Sequence, residues 1–144
     1  MRFTALRLTR AGEYGIRCIL FLSAKEKGLV VRTSDIAKSM DIPAHFLGKV
    51  AKQLSLAGLV QIVQGPKGGI TLARKPENIS LLDVVEAITG EIFLNDCIGK
   101  PESCKASPVC SVHQVWAKTR DQLRATLKSV DFFQLARDYC GSIV

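Results

Sequence analysis

The chain has 144 residues, 47% of them hydrophobic and 23% charged, with a formal net charge of +7. These values fit one globular domain with a core of its own and exclude disordered, collagen-like and coiled-coil-only chains. No uncharged apolar run reaches the ~18 residues that a membrane span needs. The best run, Cys18 to Ala24, directly follows Arg17. Residues 1–7 carry charge without a long apolar region behind them, which argues against a secretory signal and for the cytoplasm, where thiols stay reduced.

Residues 1–76 hold 13 Lys and Arg against 4 Asp and Glu, whereas residues 77–144 hold 7 against 9. A basic first half without membrane features points to nucleic acid.

The pattern predicts a first helix from Thr9 to Ala24, capped by the Thr9 hydroxyl and apolar nearly all round. Leu29 to Val31 reads as a short extended stretch. Thr33 or Ser34 is expected to cap a short helix ending at Met40. Asp41-Ile42-Pro43 is the turn, with Pro43 suited to a first helical position. The next helix runs from about Ala44 to Ala57. Its apolar stripe is Phe46, Leu47, Val50, Ala51, Leu54 and Ala57, and Lys49, Lys52 and Gln53 fall off that stripe. Gly58 stops it.

Leu59 to Val63 alternates like a strand. Gln64 to Gly69 is a Gly-rich turn, and Ile70 to Ala73 is a second strand, so the two form a hairpin. The order helix, helix, turn, helix, hairpin is that of a winged helix-turn-helix. Ser80 caps a helix from Leu81 to Thr89, closed by Gly90.

Residues 91–108 show no apolar periodicity, and a loop of that length is functional or disordered. Ser107-Pro108 then opens a long helix to about Ser129. Its stripe of Val109, Val112, Trp116, Leu123, Leu127 and Val130 is a seam for another helix, and a second copy of this helix is the partner expected. Phe132, Phe133 and Leu135 are expected to fold back onto that dimer. The fold class is thus mainly α with a small β-hairpin. The chain divides into a winged helix-turn-helix domain at 1–90, a loop at 91–108, and a dimerisation helix with its tail at 109–144.

In the DNA reading, the second helix of the turn motif enters a major groove. His45, Lys49, Lys52 and Gln53 reach bases or phosphates, Thr33 and Ser34 bring a helix N-terminus to the backbone, and the wing adds Gln64, Lys67 and Gly68. No nucleophile–base set, paired acids or phosphate loop occurs, so no enzyme is expected. Gly65-Pro66-Lys67-Gly68-Gly69 lacks the strand-to-helix context of a phosphate loop.

Of five cysteines, Cys18 lies in the buried first helix, and Cys140 is assigned no role. Cys97, Cys104 and Cys110 are separated by six and five residues, and His113 follows three residues after Cys110. Cys110 and His113 share a helix face at an N-terminus that favours a thiolate. Three cysteines and one histidine form an accepted zinc set, but tight knuckles are missing. The wide spacings suit an iron–sulfur cluster. Free thiols in a loop are the third possibility.

Almost the whole chain resembles the Rrf2 family of bacterial winged-helix regulators. The likeness rests on Leu8 to Arg17, Thr33 to Ala37, Val50 to Val60, the wing from Gly65 to Gly69, and Ile79 to Gly90. The segment from Cys110 to Trp116 stands closest to the family's iron–sulfur cluster regulators. That resemblance implies a homodimeric DNA-binding regulator with a 2Fe–2S cluster on Cys97, Cys104, Cys110 and His113, sensing redox, iron–sulfur status or nitric oxide. The nitric-oxide-sensing branch instead holds a 4Fe–4S cluster with an acidic first-helix residue of the partner subunit as fourth ligand, and Glu13 stands at the matching position. Family wings often carry Arg before the Gly-Pro and Tyr after the Gly-Gly, where this chain has Gln64 and Ile70. The five residues before Leu6 are extra relative to the family; Arg2 among them and Arg7 just after Leu6 either touch DNA or belong to a disordered end. The alternatives are a zinc- or thiol-based repressor of the same fold and an iron–sulfur electron or cluster carrier with no DNA role.

Overall fold

A computed structural model describes residues 8–92, 94 and 96–139. The expectations for Arg2, Arg7 and Cys140 lie outside the described residues. Helix α1 (Arg10–Ser23) is central. The Thr9 hydroxyl accepts the Gly12 N–H at 3.1 Å, satisfying one of the unpaired amides of the first turn. Its buried residues, including Tyr14, Cys18, Ile19, Phe21 and Leu22, face α3, α4 and α7.

The turn motif is α2 (Thr33–Met40) and α3 (Ala44–Leu56). Asp41 closes α2 in the left-handed region at φ 53°, a conformation that Asp tolerates better than most residues. The Arg17 guanidinium donates to the carbonyls of Met40 and Asp41, each at 3.3 Å. It thereby ties the turn to α1 and satisfies carbonyls left over at the helix end.

Strands β1 (Val60–Val63) and β2 (Gly69–Leu72) pair antiparallel, with Val60 opposite Leu72 and Val63 opposite Gly69. Val31 bridges Ile70 through two backbone hydrogen bonds, of 2.9 and 2.8 Å, and so docks the α1–α2 connection on the wing. Gly68 and Gly69 are required sterically. A Cβ on Gly68 would run into the Val63 carbonyl, and one on Gly69 into the Val31 carbonyl.

Helix α4 (Leu81–Thr89) opens with a capping box. The Ser80 hydroxyl accepts the Asp83 N–H at 3.0 Å, and the Asp83 carboxylate accepts the Ser80 N–H at 2.9 Å. A one-turn helix α5 (Asp96–Gly99) and two 3-10 turns, Pro101–Ser103 and Ser107–Val109, lead to α6 (Ser111–Lys128). Helix α7 (Phe132–Asp138) returns to pack against α1 and the 3-10 turn Pro76–Asn78.

Six details differ from the expectations. The long helix opens at Ser111 rather than at Ser107-Pro108, because Ser107–Val109 is a 3-10 turn and Cys110 the cap, so Val109 precedes the helix. Thr33 and Ser34 are not caps; α2 begins at Thr33, with Arg32 at the cap position and no side-chain cap bond. Pro43 occupies the cap of α3 rather than its first helical position. Phe46 and Ala57 lie at the surface, because the core reaches α3 only through Leu47, Val50, Ala51 and Leu54. In β1 only Val60 is buried, since the two-stranded wing has one covered end and a tip free in solvent. Phe132 is fully buried in the core of its own protomer, together with Ile79 and Val84, instead of lying on a dimer surface.

Candidate functional site

Two regions carry the candidate residues. The first is formed by α2, α3 and the wing. On α3, His45, Lys49, Lys52 and Gln53 are all exposed, as their places off the stripe predict. The Phe46 ring is held edge-on to Tyr14, with centroids 5.6 Å apart, and the His45 ring lies 5.2 Å from Phe46. Arg17 in turn stacks over Tyr14, 5.6 Å from its centroid. This ladder from α1 fixes the N-terminal end of α3, where residues that read base edges sit in a helix-turn-helix. In the sequence, Tyr14 and Arg17 stand out only as part of the first helix and of the Leu8–Arg17 stretch that carries the family likeness. The signal for the ladder is the Tyr-x-x-Arg spacing, which puts both side chains on one face.

Ser34, Gln64 and Lys67 are exposed, while Thr33 and Gly68 are half-buried. Gly68 donates its N–H to the Gly65 carbonyl at 2.9 Å, so its place in the wing tip is set by the turn itself. The lysines of this face outnumber its exposed acids, Asp35 on α2 and Asp41 in the turn, and stand outside the ion pairs. The ion pairs among the described residues join Arg120 to Glu91 and Asp121, and Arg124 to Glu86. Lys38, Lys49, Lys52 and Lys67 take part in none of them and are exposed. A field of free cations on a convex helical surface attracts a polyanion and releases its counterions on binding.

The second region is the cysteine segment. Cys110 stands at the N-cap of α6, and His113 lies in its first turn. The His113 Nδ1 is 3.3 Å from the Cys97 Sγ, so α5 and α6 bring these two donors together. Cys97 and Cys110 are half-buried and Cys104 is exposed. No group of three or more His, Cys, Asp or Glu side chains is assembled for a metal ion among the described residues. The chain therefore supplies a soft donor set suited in chemistry to iron or zinc, with two of its members in contact and the others not gathered around them. Glu13 is exposed and lines a polar surface cleft of about 650 Å³ with Thr9, Arg10, Tyr14, Arg17 and Asp41, with no cysteine on its walls. Cys18 is a different kind of thiol, since complete burial pushes its pKa up to about 12 and keeps it neutral.

Helix α6 has no buried residue. Of the expected seam, Val109 in the preceding 3-10 turn and Val112 and Leu123 on α6 are 86%, 55% and 39% exposed, whereas Trp116, Leu127 and Val130 are half-buried, so the seam is only partly covered in the single chain. Its polar side is anchored to α4, where Arg124 donates from Nε and Nη2 to one Glu86 carboxylate oxygen at 2.9 and 2.8 Å. That hydrogen bond and the Glu86 charge raise the Arg124 pKa.

A helix-turn-helix braced by a third helix, a paired wing and an unneutralised cationic face define a winged-helix DNA-binding protein. The particular family follows from comparison with known proteins. The Rrf2 family, described as iron-dependent transcriptional regulator, matches residues 8–138, and the chain belongs to it. It is 32% identical over 131 residues to the HTH-type transcriptional regulator NsrR of Bacillus licheniformis, covering 90% of each chain. It is 28% identical over 133 residues to the HTH-type transcriptional regulator IscR of Aliivibrio salmonicida, covering 92% of this chain and 79% of that protein. Among solved structures, CymR, the global cysteine regulator of B. subtilis, superposes with a TM-score of 0.74 at 24% identity, over 92% of this chain and 98% of that one, which supports the fold. Several kinds of regulator thus match at similar levels. The comparisons give the family and do not single out the iron–sulfur cluster regulators that the Cys110–Trp116 segment resembles. The protein is an Rrf2-family DNA-binding transcriptional regulator, and that family is one of regulators rather than enzymes. No helix among the described residues is long and apolar enough to cross a membrane.

Proposed function

We propose that the protein is a homodimeric, cytoplasmic regulator whose cysteine segment holds an iron–sulfur cluster and whose DNA affinity follows the state of that cluster. The observation that carries this reading is the 3.3 Å contact between Cys97 and His113, residues 16 apart in sequence, at the end of α6 that also carries Cys110. Cys97, Cys104, Cys110 and His113 are the proposed ligands of a 2Fe–2S cluster. A cluster bound there supplies one-electron redox chemistry and a reactive site for oxygen or nitric oxide. Gathering Cys104 and Cys110 around the Cys97–His113 pair would order the segment before α6. The seam of α6, from Val112 to Leu123, pairs with its copy. The outward residues of α3 and the wing (His45, Lys49, Lys52, Gln53, Gln64 and Lys67, with Thr33 and Ser34 at the start of α2) meet a double-stranded operator. The free cations on this face favour a regulator over a cluster carrier without a DNA role.

The test is anaerobic reconstitution with iron and sulfide, reading iron and sulfide per protomer and the visible absorption. Wild type is expected to gain a coloured cluster, and each of Cys97→Ala, Cys104→Ala, Cys110→Ala and His113→Ala to lose it. If His113→Ala keeps the cluster while Glu13→Ala loses it, the fourth ligand is Glu13 and the 4Fe–4S arrangement applies. A colourless protein that takes up zinc, or no metal, refutes the cluster. A thiol- or zinc-based regulator is the second reading, favoured by the exposure of Cys104 for thiol chemistry and by a three-cysteine, one-histidine set that zinc also accepts.

A further inference from the structure

We infer that Gly48 marks the point where α3 lies backbone-to-surface against the duplex, so that the missing side chain is itself a specificity element of the DNA interface. This inference rests on the reading of α3 as the DNA-facing helix. Gly48 is the fifth residue of α3 and is exposed. In a helix interior, glycine costs stability relative to alanine, because it gains no packing and gives up more backbone freedom. Such a residue calls for a reason, and the described residues of the chain contain none. A Cβ built at Gly48 would meet no described atom within 4 Å, whereas one at Gly15 in α1 would sit 3.0 Å from Ile88. Gly48 is also not among the glycines with positive φ, which are Gly28, Gly58, Gly65 and Gly90. Neither close packing inside the protein nor backbone conformation requires glycine here.

The surroundings point outward. His45 is one turn before Gly48, Lys49 is its neighbour, and Lys52 is one turn after it; all three are exposed, and neither lysine is in an ion pair among the described residues. With cationic and imidazole side chains flanking a bare stretch of helix, the long side chains reach phosphates or base edges to either side. The backbone between them can approach a base edge, a thymine methyl or a sugar more closely than a Cβ would allow.

The test is a pair of measurements on the full chain. A duplex is first selected from a random-sequence library with wild type, labelled, and used for fluorescence anisotropy at fixed salt; thermal unfolding is followed in parallel. Gly48→Ala is expected to melt a few degrees above wild type, as relief of a helix-interior glycine does. The same variant is expected to bind the selected duplex at least about fivefold more weakly, the lower end of the effect of one lost base-edge contact. The larger Gly48→Leu should still fold and should bind weaker again. Lys49→Ala and Lys52→Ala report on α3 independently. If Gly48→Ala binds as tightly as wild type while the lysine variants are weakened, the inference about Gly48 is wrong and the α3 interface stands. If all three bind like wild type, both fall. A Gly48→Ala variant that melts below wild type assigns Gly48 to folding and also overturns the inference.

Discussion

Removing the Phe132 ring tests whether α7 belongs to the core of the DNA-binding unit. Phe132 is fully buried, and its N–H donates to the Ile79 carbonyl at 3.0 Å. Just before it, Ser80 and Asp131 form an antiparallel bridge, and the Leu81 N–H donates to the Val130 carbonyl at 2.9 Å. The far end of α6 is therefore stitched to the start of α4 beside this ring. Phe132→Ala leaves the backbone bonds possible and deletes only the apolar filling. Losing a buried phenyl ring and leaving a cavity costs about 3–5 kcal/mol. Against a total stability of about 5–15 kcal/mol this is a large fraction, and the variant should melt on the order of 10 °C lower. Urea unfolding followed by far-UV circular dichroism gives the difference directly. A loss below about 1 kcal/mol, the range of ordinary surface changes, refutes the placement of α7 in the core.

Three other outcomes are expected. If the protein is the homodimer proposed above, Leu123→Asp puts a charge into its α6 seam and should give a monomer by light scattering, whereas a variant that stays dimeric moves the interface elsewhere. Replacing Glu86 by Ala removes the acceptor of both Arg124 hydrogen bonds, so amide exchange in α6 should speed up while α1 stays protected; unchanged exchange in α6 denies the anchoring role of this pair. Cys18, its pKa pushed up to about 12 by burial, should stay unalkylated by iodoacetamide at pH 8 in the folded protein while Cys104 reacts, and modification of Cys18 at the Cys104 rate contradicts its burial.

The residues that specify element ends locally were readable in the sequence. Thr9 and Ser80 act through their own hydroxyls on amides three residues on, so side-chain chemistry alone places both caps. Thr33 failed as a cap because Arg32, with no capping side chain, already has the extended backbone of a cap, and a hydroxyl cannot report that. The apolar stripe of α3 was read correctly at Leu47, Val50, Ala51 and Leu54. It was extended wrongly to Phe46, since periodicity identifies a face but not how far the neighbouring helix covers it. Phe132 shows the same limit. Its apolar character was plain, but the choice between its own core and a partner's depends on the return of α7 past Ile79, a long-range contact. At the candidate site the outward set of α3 was legible because it is the complement of the stripe. The Cys97–His113 contact depends on a fold between α5 and α6 that residues 91–108 do not signal by any period.

The central claim is that the state of the cysteine segment controls DNA binding. Its most direct test is the affinity of one dimer preparation for one selected duplex, measured anaerobically by fluorescence anisotropy before and after cluster reconstitution and again after removal of the iron. A reversible change of at least about tenfold is expected, which is ~1.4 kcal/mol of coupling and lies within the usual range for linked sites. This change should vanish in Cys97→Ala and His113→Ala, whose α3 and wing are untouched. Equal affinities in all states of the wild type, with the cluster demonstrably present and then absent, would contradict the central claim.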